Sequence, residues 1–537
     1  MMSAMVRDIV AARYLVVAFV VIVGGVALEP VAGRVPQVVP ASLGDVTVAQ
    51  LQQWMQDGRY TSRQLTDLYL QRIDTIDRQG PTLRAVIEVN PDARTIADAL
   101  DRERRDKGPR GPLHGIPILI KDNIDSGDRM QTTAGSMALV GTPATKDAFV
   151  VTRLRAAGIV ILGKTNLSEW ANFRSTHSTS GWSARGGLVR NPYVLERNAC
   201  GSSSGTGAAI AAQLAAIGVG TETDGSIVCP SAANGLVGIK PTVGLVSRSG
   251  IVPISHTQDT AGPMARTVAD AAALLTGMTG VDPADAATAA GRTRASRDYT
   301  RNLDAEALRG ARIGVARKRY FGYHPATDAL IERALADMKA RGAVLVDPAD
   351  VPTGDKLDAC EMPVLLHEFK SDLNAYLAAR GTTTTVHTLE ELIAFNEREK
   401  ARELPYFGQE LFIQAQKTRG LKAPAYLTAL ATCRTLSRTQ GIDAVMKRLR
   451  LDALVAPTGS PAWKTDLVNG DHFLGASSTP AAVAGYPSIT VPAGFVDGLP
   501  VGISFVAGAW SEPRLIALAY AYEQATKHRK SPEFRER

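Results

Sequence analysis

The sequence predicts an α/β protein built on a large mixed β-sheet with α-helices on both sides. Short apolar runs bounded by glycine and proline alternate with helical patterns from about residue 85 to residue 245. Strand-like runs return after residue 450, beyond a mostly helical stretch. Buried strands that alternate with helices indicate a sheet covered on its faces. The late strands suggest one sheet completed from both ends of the chain, and 537 residues suffice for such a core.

Two helical patterns come first. In one, Leu51, Trp54 and Met55 share a face and the pattern ends near Gly58; Ser62 can cap the second. The strands predicted next are at residues 85–89, 116–120 and 159–162, with helices at 149–157 and 207–216 between them.

The second half of the chain begins with a polar, alanine-rich stretch, residues 283–296, which we expect to be a surface connection. The remaining predictions are a mostly helical region at 327–449 with a strand at 343–346, strands at 453–456, 488–491 and 501–505, and a closing helix at 513–526.

The N-terminal segment has the pattern of a targeting signal. Basic residues precede an apolar run, residues 14–28, and small residues follow up to Gly33. At about 1.5 Å per residue this run reaches ~22 Å, short of a hydrocarbon core of about 30 Å. We therefore expect residues 1–33 to be a cleaved signal peptide, with an uncleaved membrane anchor as the alternative. Residues 34–44 would form a linker, and the protein would be exported to the periplasm or the outside.

The charge pattern argues against a nucleic-acid partner. Net charge is +7, from 60 basic and 53 acidic residues, without long blocks of one sign. A nucleic-acid-binding protein concentrates its basic residues in a patch or stripe. The one basic cluster, Lys527 to Lys530, lies in a polar tail.

The four cysteines, at positions 200, 229, 360 and 433, are too few and too scattered to predict a disulfide framework or a zinc site. We expect four small buried residues. No pattern in the sequence calls for a metal ion or a cofactor.

Two short motifs suggest other chemistry. Residues 158–165 satisfy the pattern of a nucleotide-binding P-loop, but their middle is four bulky apolar residues, which favour a core strand. Residues 201–205 match G-x-S-x-G with Ser203 as nucleophile, yet no apolar strand precedes them, as a nucleophile elbow requires. We expect neither to function as its motif suggests.

Three other segments carry a more consistent chemistry. Lys121 ends the apolar run 115–120, where desolvation would lower its pKa and make the amine a usable base. Residues 200–207 form a serine and glycine loop before a helix, and glycine permits close backbone approach. Residues 218–227 form a tight turn that presents several N–H groups ahead of Ser226, as an oxyanion hole requires. Taken alone, Lys121 would more simply extend to solvent or pair with Asp122, the serine loop could be a helix cap, and the turn could be a polar loop.

Together these segments resemble the amidase signature family, with Lys121, Ser202 and Ser226 at the positions of its Ser-Ser-Lys triad and the serines 24 positions apart. The resemblance extends over about residues 45 to 525. The further matching segments are 163–173, 235–242, 259–264, 484–487 and 498–502. Within the family, the sequences of segments 168–173, 181–187 and 221–230 most resemble those of bacterial peptide amidases.

The resemblance implies a mechanism. Ser226 would attack the amide carbonyl, and Ser202, which follows a cis peptide bond in the family, would relay the proton to an uncharged Lys121. Ammonia would leave, and water would cleave the acyl-enzyme. The oxyanion hole would consist of the backbone N–H groups of Thr223, Asp224, Gly225 and Ser226.

Some positions depart from the broader family pattern. Cys200 stands where glycine is common, and Thr223-Asp224 replaces a more apolar, glycine-rich pair, so both bear on substrate preference. Asn172 and Trp463 are candidates for the substrate pocket. His114, seven residues before Lys121, could act as a base, but its glycine and proline neighbours predict a turn before a strand.

We therefore expect an amidase domain over residues 45–530, with a signature core at about 85–265 and a helical insert at about 327–449. The expected activity is removal of the C-terminal amide from peptides, with release of ammonia and without a cofactor. The alternative activity is hydrolysis of another acyl, fatty or aryl amide. A silent binding protein on the same fold would not need the triad, and a tRNA-dependent amidotransferase component would be separated from its cytosolic tRNA by export.

Overall fold

The structure is a computed structural model that describes residues 43–381 and 384–537. The predicted signal peptide or anchor and nearly all of the predicted linker lie outside the described residues. No helix in the described part of the chain is both long and apolar enough to cross a membrane.

Eleven strands form the main sheet and two more form a small hairpin. In chain order they are β1 (Val86–Val89), β2 (Pro117–Lys121), β3 (Val160–Thr165), β4 (Trp182–Ser183), β5 (Gly187–Leu188), β6 (Ile217–Glu222), β7 (Val237–Lys240), β8 (Thr260–Ala265), β9 (Arg312–Val315), β10 (Val344–Val346), β11 (Ala453–Pro457), β12 (Ser488–Val496) and β13 (Leu499–Val506).

The main sheet is mixed, and its strand order is β1-β3-β2-β6-β8-β7-β12-β13-β11-β9-β10. β2 lies parallel to β3 and β6, and β9 lies parallel to β10 and β11, whereas the strands between these two groups pair antiparallel. The two parts of the chain join where β7 pairs with β12, with Ile239 opposite Ile489. The predicted large mixed sheet, completed from both ends of the chain, is confirmed.

Helices surround this sheet. They are α1 (Val48–Gln56), α2 (Ser62–Arg72), α3 (Ala93–Lys107), α4 (Phe149–Ala156), α5 (Ser204–Ala211), α6 (Val228–Ala233), α7 (Val268–Met278), α8 (Gly291–Arg294), α9 (Pro325–Ala340), α10 (Leu357–Ala379), α11 (Leu389–Arg398), α12 (Lys400–Glu403), α13 (Glu410–Gln416), α14 (Pro424–Arg434), α15 (Asp443–Leu449), α16 (Thr479–Ala484) and α17 (Glu512–Thr526). The N-cap of α2 is Thr61 rather than the expected Ser62, and its side chain accepts from the N–H of Gln64.

A separate apolar cluster lies under the helices between β10 and β11. It joins α10, α11 and α13 to the segment after β3, through aromatic side chains such as Trp170, Phe369 and Phe412. The rings of Trp170 and Phe412 meet edge to face, with centroids 6.0 Å apart. This contact packs the helical region against the segment that leads toward the candidate site.

Candidate active site

Lys121 is the last residue of β2, and its side chain is fully buried. Its Nζ lies 2.7 Å from the Oγ of Ser202 and 2.9 Å from the Oγ1 of Thr221. Burial lowers the pKa of Lys121 to about 7, and the nearby Asp259 and Glu222 oppose part of this shift. A substantial fraction of this amine is therefore uncharged near neutral pH.

Ser202 lies in the loop just before α5 and is also fully buried. The Gly201–Ser202 peptide bond is cis. A side chain at position 201 would collide with the hydroxyl of Ser168, so only glycine fits there. The carbonyl of Ser202 accepts a hydrogen bond from the N–H of Ser168 at 3.1 Å, which fixes the loop on the segment after β3.

Ser226 lies in the turn between β6 and α6, and 8% of it is exposed. The N–H of Ser203 donates to the carbonyl of Ser226 at 3.2 Å, which brings the two serine segments together. Gly225 has φ +80°, a conformation that favours glycine. Among the described residues, no acceptor is bonded to the N–H groups of Thr223, Asp224, Gly225 and Ser226.

Two buried carboxylates hold this turn. One oxygen of Glu222 accepts from the N–H groups of Ile227 at 2.7 Å and Val228 at 3.0 Å. A carboxylate oxygen of Asp259 accepts from the hydroxyl of Thr223 at 2.6 Å. Burial raises the pKa of Asp259 to about 6 and also raises that of Glu222. These hydrogen bonds fix the turn at both ends of residues 223–226, and they leave the backbone N–H groups of those four residues without an acceptor among the residues described.

Asn172 and Trp463 line one cavity of about 500 Å³, together with Cys200, Gly201 and Gly225. This volume is in the range of small-molecule sites. The amide nitrogen of Asn172 donates to the hydroxyl of Ser180 at 3.0 Å, whereas its Oδ1 is buried without a partner among the described residues. The structure thus brings both predicted pocket residues to the neighbours of Ser202 and Ser226.

A second cavity, of about 460 Å³, reaches Thr221 and Thr223 from residues 248–260 and from α10. It does not include Gly201, Gly225 or the segment of Trp463. The first cavity is the better candidate for the substrate site, because its walls include residues directly adjacent to both serines.

The alternative motifs do not form their sites. Residues 160–165 are the buried strand β3, so they cannot wrap a phosphate. The hydroxyl of Ser203 donates to the carbonyl of Thr221 at 3.0 Å and accepts from its N–H at 3.2 Å. His114 is fully buried in a turn before β2, with Nε2 2.9 Å from the carbonyl of Leu100.

The prediction of four unpaired cysteines is wrong. Cys200 forms a disulfide with Cys229, and Cys360 forms one with Cys433. The partners are 29 and 73 positions apart, but the fold brings their Cα atoms to 6.0 and 5.5 Å, within the normal range for a disulfide. Spacing along the chain gave no sign of these pairs, because only the fold determines which cysteines meet.

Sequence reasoning also missed the supporting residues Thr221, Glu222 and Asp259. Thr221 and Glu222 directly precede the predicted oxyanion segment, and this adjacency could have identified them as neighbours of the site. Asp259 is 33 positions beyond Ser226, and its contact with Thr223 depends on the pairing of β6 with β8.

Comparison with known proteins identifies the family of the chain. A family model described as Amidase matches residues 64–516. A probable amidase from Arabidopsis thaliana is 43% identical over 505 residues, covering 92% of this chain and 92% of that protein. A putative amidase from Schizosaccharomyces pombe is 36% identical over 529 residues, covering 92% and 88%. More distant relatives include glutamyl-tRNA(Gln) amidotransferase chains, one of them from Pseudomonas syringae pv. syringae at 34% identity over 498 residues, covering 91% and 99%.

Among solved structures, the native peptide amidase from Stenotrophomonas maltophilia matches with a TM-score of 0.88 and 53% sequence identity. The match covers 92% of this chain and 99% of that chain. The chain therefore belongs to the amidase signature family and is an amidase, a hydrolase that acts on amides.

Proposed function

We propose that this amidase removes the C-terminal amide of peptides, giving the free acid and ammonia through an acyl-enzyme on Ser226. The observation that carries the proposal is the buried Lys121 amine 2.7 Å from the hydroxyl oxygen of Ser202, with a pKa lowered to about 7. An uncharged amine in this position accepts a proton, which a charged one cannot do.

In the proposed reaction, the hydroxyl oxygen of Ser226 attacks the amide carbon while its proton passes through Ser202 to Lys121. The carbonyl oxygen becomes an oxyanion, and the four unbonded N–H groups of residues 223–226 stabilise it. The relay returns the proton to the leaving nitrogen, and ammonia departs as the C–N bond breaks. Water then attacks the ester on Ser226, using the same base, and releases the carboxylic acid.

The surroundings of Ser226 support a peptide as the acyl part. Beside Gly225, the 500 Å³ cavity is lined by Phe473 and Leu474, which are 44% and 54% exposed. Exposed apolar side chains at a cavity mouth suit the side chains of a bound peptide. The 53% identity to a peptide amidase favours the same substrate class.

The test is ammonia release from a panel of peptide amides, simple acyl, fatty and aryl amides, and glutamine. We expect turnover of peptide amides, a fluorophosphonate adduct on Ser226 by mass spectrometry, and loss of both in Ser226→Ala. Turnover confined to the non-peptide amides would contradict the substrate class. A folded protein without the adduct and without turnover would contradict the mechanism.

Export is part of the proposal. The apolar N-terminal run motivates it, and the two disulfides support it, because structural disulfides persist in oxidising compartments. Fractionation of expressing cells, with N-terminal sequencing of the product, is the test. A soluble exported product that begins near residue 34 supports signal cleavage, and a membrane-bound product that begins at Met1 supports an anchor. An exclusively cytosolic product would contradict export.

A further inference from the structure

The Cys200–Cys229 disulfide joins the two chain segments that carry the catalytic serines of the proposed function. Cys200 is two positions before Ser202, and Cys229 is three positions after Ser226. The backbone hydrogen bond from Ser203 to Ser226 links the same two segments, at 3.2 Å. The disulfide therefore connects the two segments whose separation must stay constant for a proton to pass from Ser226 to Ser202.

The backbone of Cys200 adopts a conformation that is uncommon for cysteine. Its φ is +55°, in the left-handed region where glycine is least strained. The N–H of Cys200 donates to Oδ1 of Asn198 at 2.7 Å, and its carbonyl accepts from the hydroxyl of Ser204 at 2.5 Å. A cysteine in this conformation is strained where a glycine would not be, and its side chain forms the cross-link to Cys229.

We infer that the Cys200–Cys229 disulfide is a positioning element of the reaction, and that its oxidised form sets the rate at which Ser226 is acylated. The inference rests on the proposed function. With the bridge closed, the Ser202 loop and the Ser226 turn keep one separation. With the bridge open, weaker contacts hold them, and a shift of about 1 Å between reacting groups can cost a factor of about 100 in rate.

The bridge is also within reach of a reductant, because Cys200 and Cys229 both line the 500 Å³ cavity. A small dithiol attacks one sulfur, the S–S bond breaks, and a mixed disulfide forms. The second thiol of the reagent then closes its own disulfide, so that two cysteine thiols replace one cystine and the reagent loses two electrons and two protons. Activity should fall as this exchange proceeds and return on reoxidation.

The second disulfide is a matched control within the same chain. Cys360 and Cys433 join α10 to α14 in a separate apolar cluster that contains neither serine segment. Their bridge closes a loop of 73 positions, against 29 for the first, so chain entropy predicts that removing it costs more stability. Loss of the Cys200–Cys229 bridge should therefore affect catalysis more, and loss of the Cys360–Cys433 bridge should affect stability more.

The experiment compares the full-length wild type with Cys200→Gly/Cys229→Ala and Cys360→Ala/Cys433→Ala. Glycine at 200 keeps the left-handed backbone accessible, which limits misfolding. The measurements are kcat and KM for a peptide amide, the rate of fluorophosphonate adduct formation on Ser226, and the midpoint of thermal unfolding.

For Cys200→Gly/Cys229→Ala we expect kcat and the labelling rate to fall about tenfold or more, with KM nearly unchanged. Cys360→Ala/Cys433→Ala should unfold at a lower temperature, keep the wild-type kcat, and still lose activity when dithiothreitol is added.

A folded Cys200→Gly/Cys229→Ala protein with wild-type kcat and labelling rate would overturn the inference. So would a raised KM with unchanged kcat, which would assign the bridge to the substrate wall. Failure of the oxidised wild type to release ammonia or to label at Ser226 is a different result, since it overturns the proposed function itself.

Discussion

The surroundings of Lys121 favour an uncharged amine, which the proposed reaction requires of its base. Its amine is fully buried and lies 2.7 and 2.9 Å from the hydroxyl oxygens of Ser202 and Thr221, and 3.4 Å from the carbonyl oxygen of Thr221. Burial favours the uncharged form, while Asp259 and Glu222 limit the shift. The position of Lys121 at the end of an apolar strand could be predicted from sequence. Its contact with Thr221 could not, because that contact depends on β2 lying beside β6.

Two substitutions distinguish Lys121 from His114, seven residues earlier in the chain, as the base of the reaction. Lys121→Ala should lower kcat/KM for ammonia release by about 10²- to 10⁴-fold, the usual contribution of a general base. His114→Ala removes the ring contacts with the carbonyl of Leu100 and the N–H of Arg110, so it should lower stability more than activity. Steady-state kinetics with a peptide amide, alongside thermal unfolding, measure both effects. Greater loss of activity in His114→Ala would transfer the role of base to the histidine.

Sequence patterns located seven of the thirteen strands that the structure describes, but not all helix ends. The alanine-rich helix predicted at residues 207–216 is α5, which begins at Ser204 and ends at Ala211. Its helical propensity would allow a later end, but the chain must turn to enter β6 at Ile217, and Gln213 adopts φ +61° in that turn. The path of the chain into β6 therefore ends α5 earlier than its helix propensity alone would predict.

Glu222 links the end of β6 to the start of α6. Two substitutions distinguish the effect of its hydrogen bonds from the effect of its negative charge. Glu222→Gln keeps an oxygen for the N–H groups of Ile227 and Val228, but removes a charge that raises the pKa of Lys121. We expect an unchanged kcat/KM plateau whose acidic limb moves to lower pH. Glu222→Leu leaves both N–H groups unpaired and should lower the plateau about tenfold. Equal loss in the two variants, or a limb that moves to higher pH, would contradict this role.

The sequence predicted a single mixed sheet made from both ends of the chain, and the β7–β12 pair confirms it. It did not predict what ties the helical region to the sheet. Arg174 forms a buried ion-pair network with Glu169 and Glu403, and all three side chains are fully buried. The pair between Arg174 and Glu403 joins positions 229 apart, and such a contact leaves no periodic signal in a sequence, as was also true of the disulfides.

Arg174→Met tests how strongly this network joins the two regions. It leaves two buried carboxylates without their cation, which typically costs about 3–5 kcal/mol of unfolding free energy. Denaturant unfolding measures the change. Arg309→Met, which breaks an exposed pair with Glu306, should leave the free energy of unfolding nearly unchanged. Similar values for the two variants would mean that the buried network does not hold the helical region in place.

The pH dependence of kcat/KM for ammonia release from a peptide amide tests whether an uncharged Lys121 is the base of the reaction. Lys121 must be uncharged to accept the proton, so activity should be low in acid, rise with pH, and level off above an apparent pKa of about 7. The rising limb should be absent from the residual activity of Lys121→Ala. A wild-type profile that is flat through neutrality, or a limb that persists unchanged without this lysine, would contradict the proposed relay.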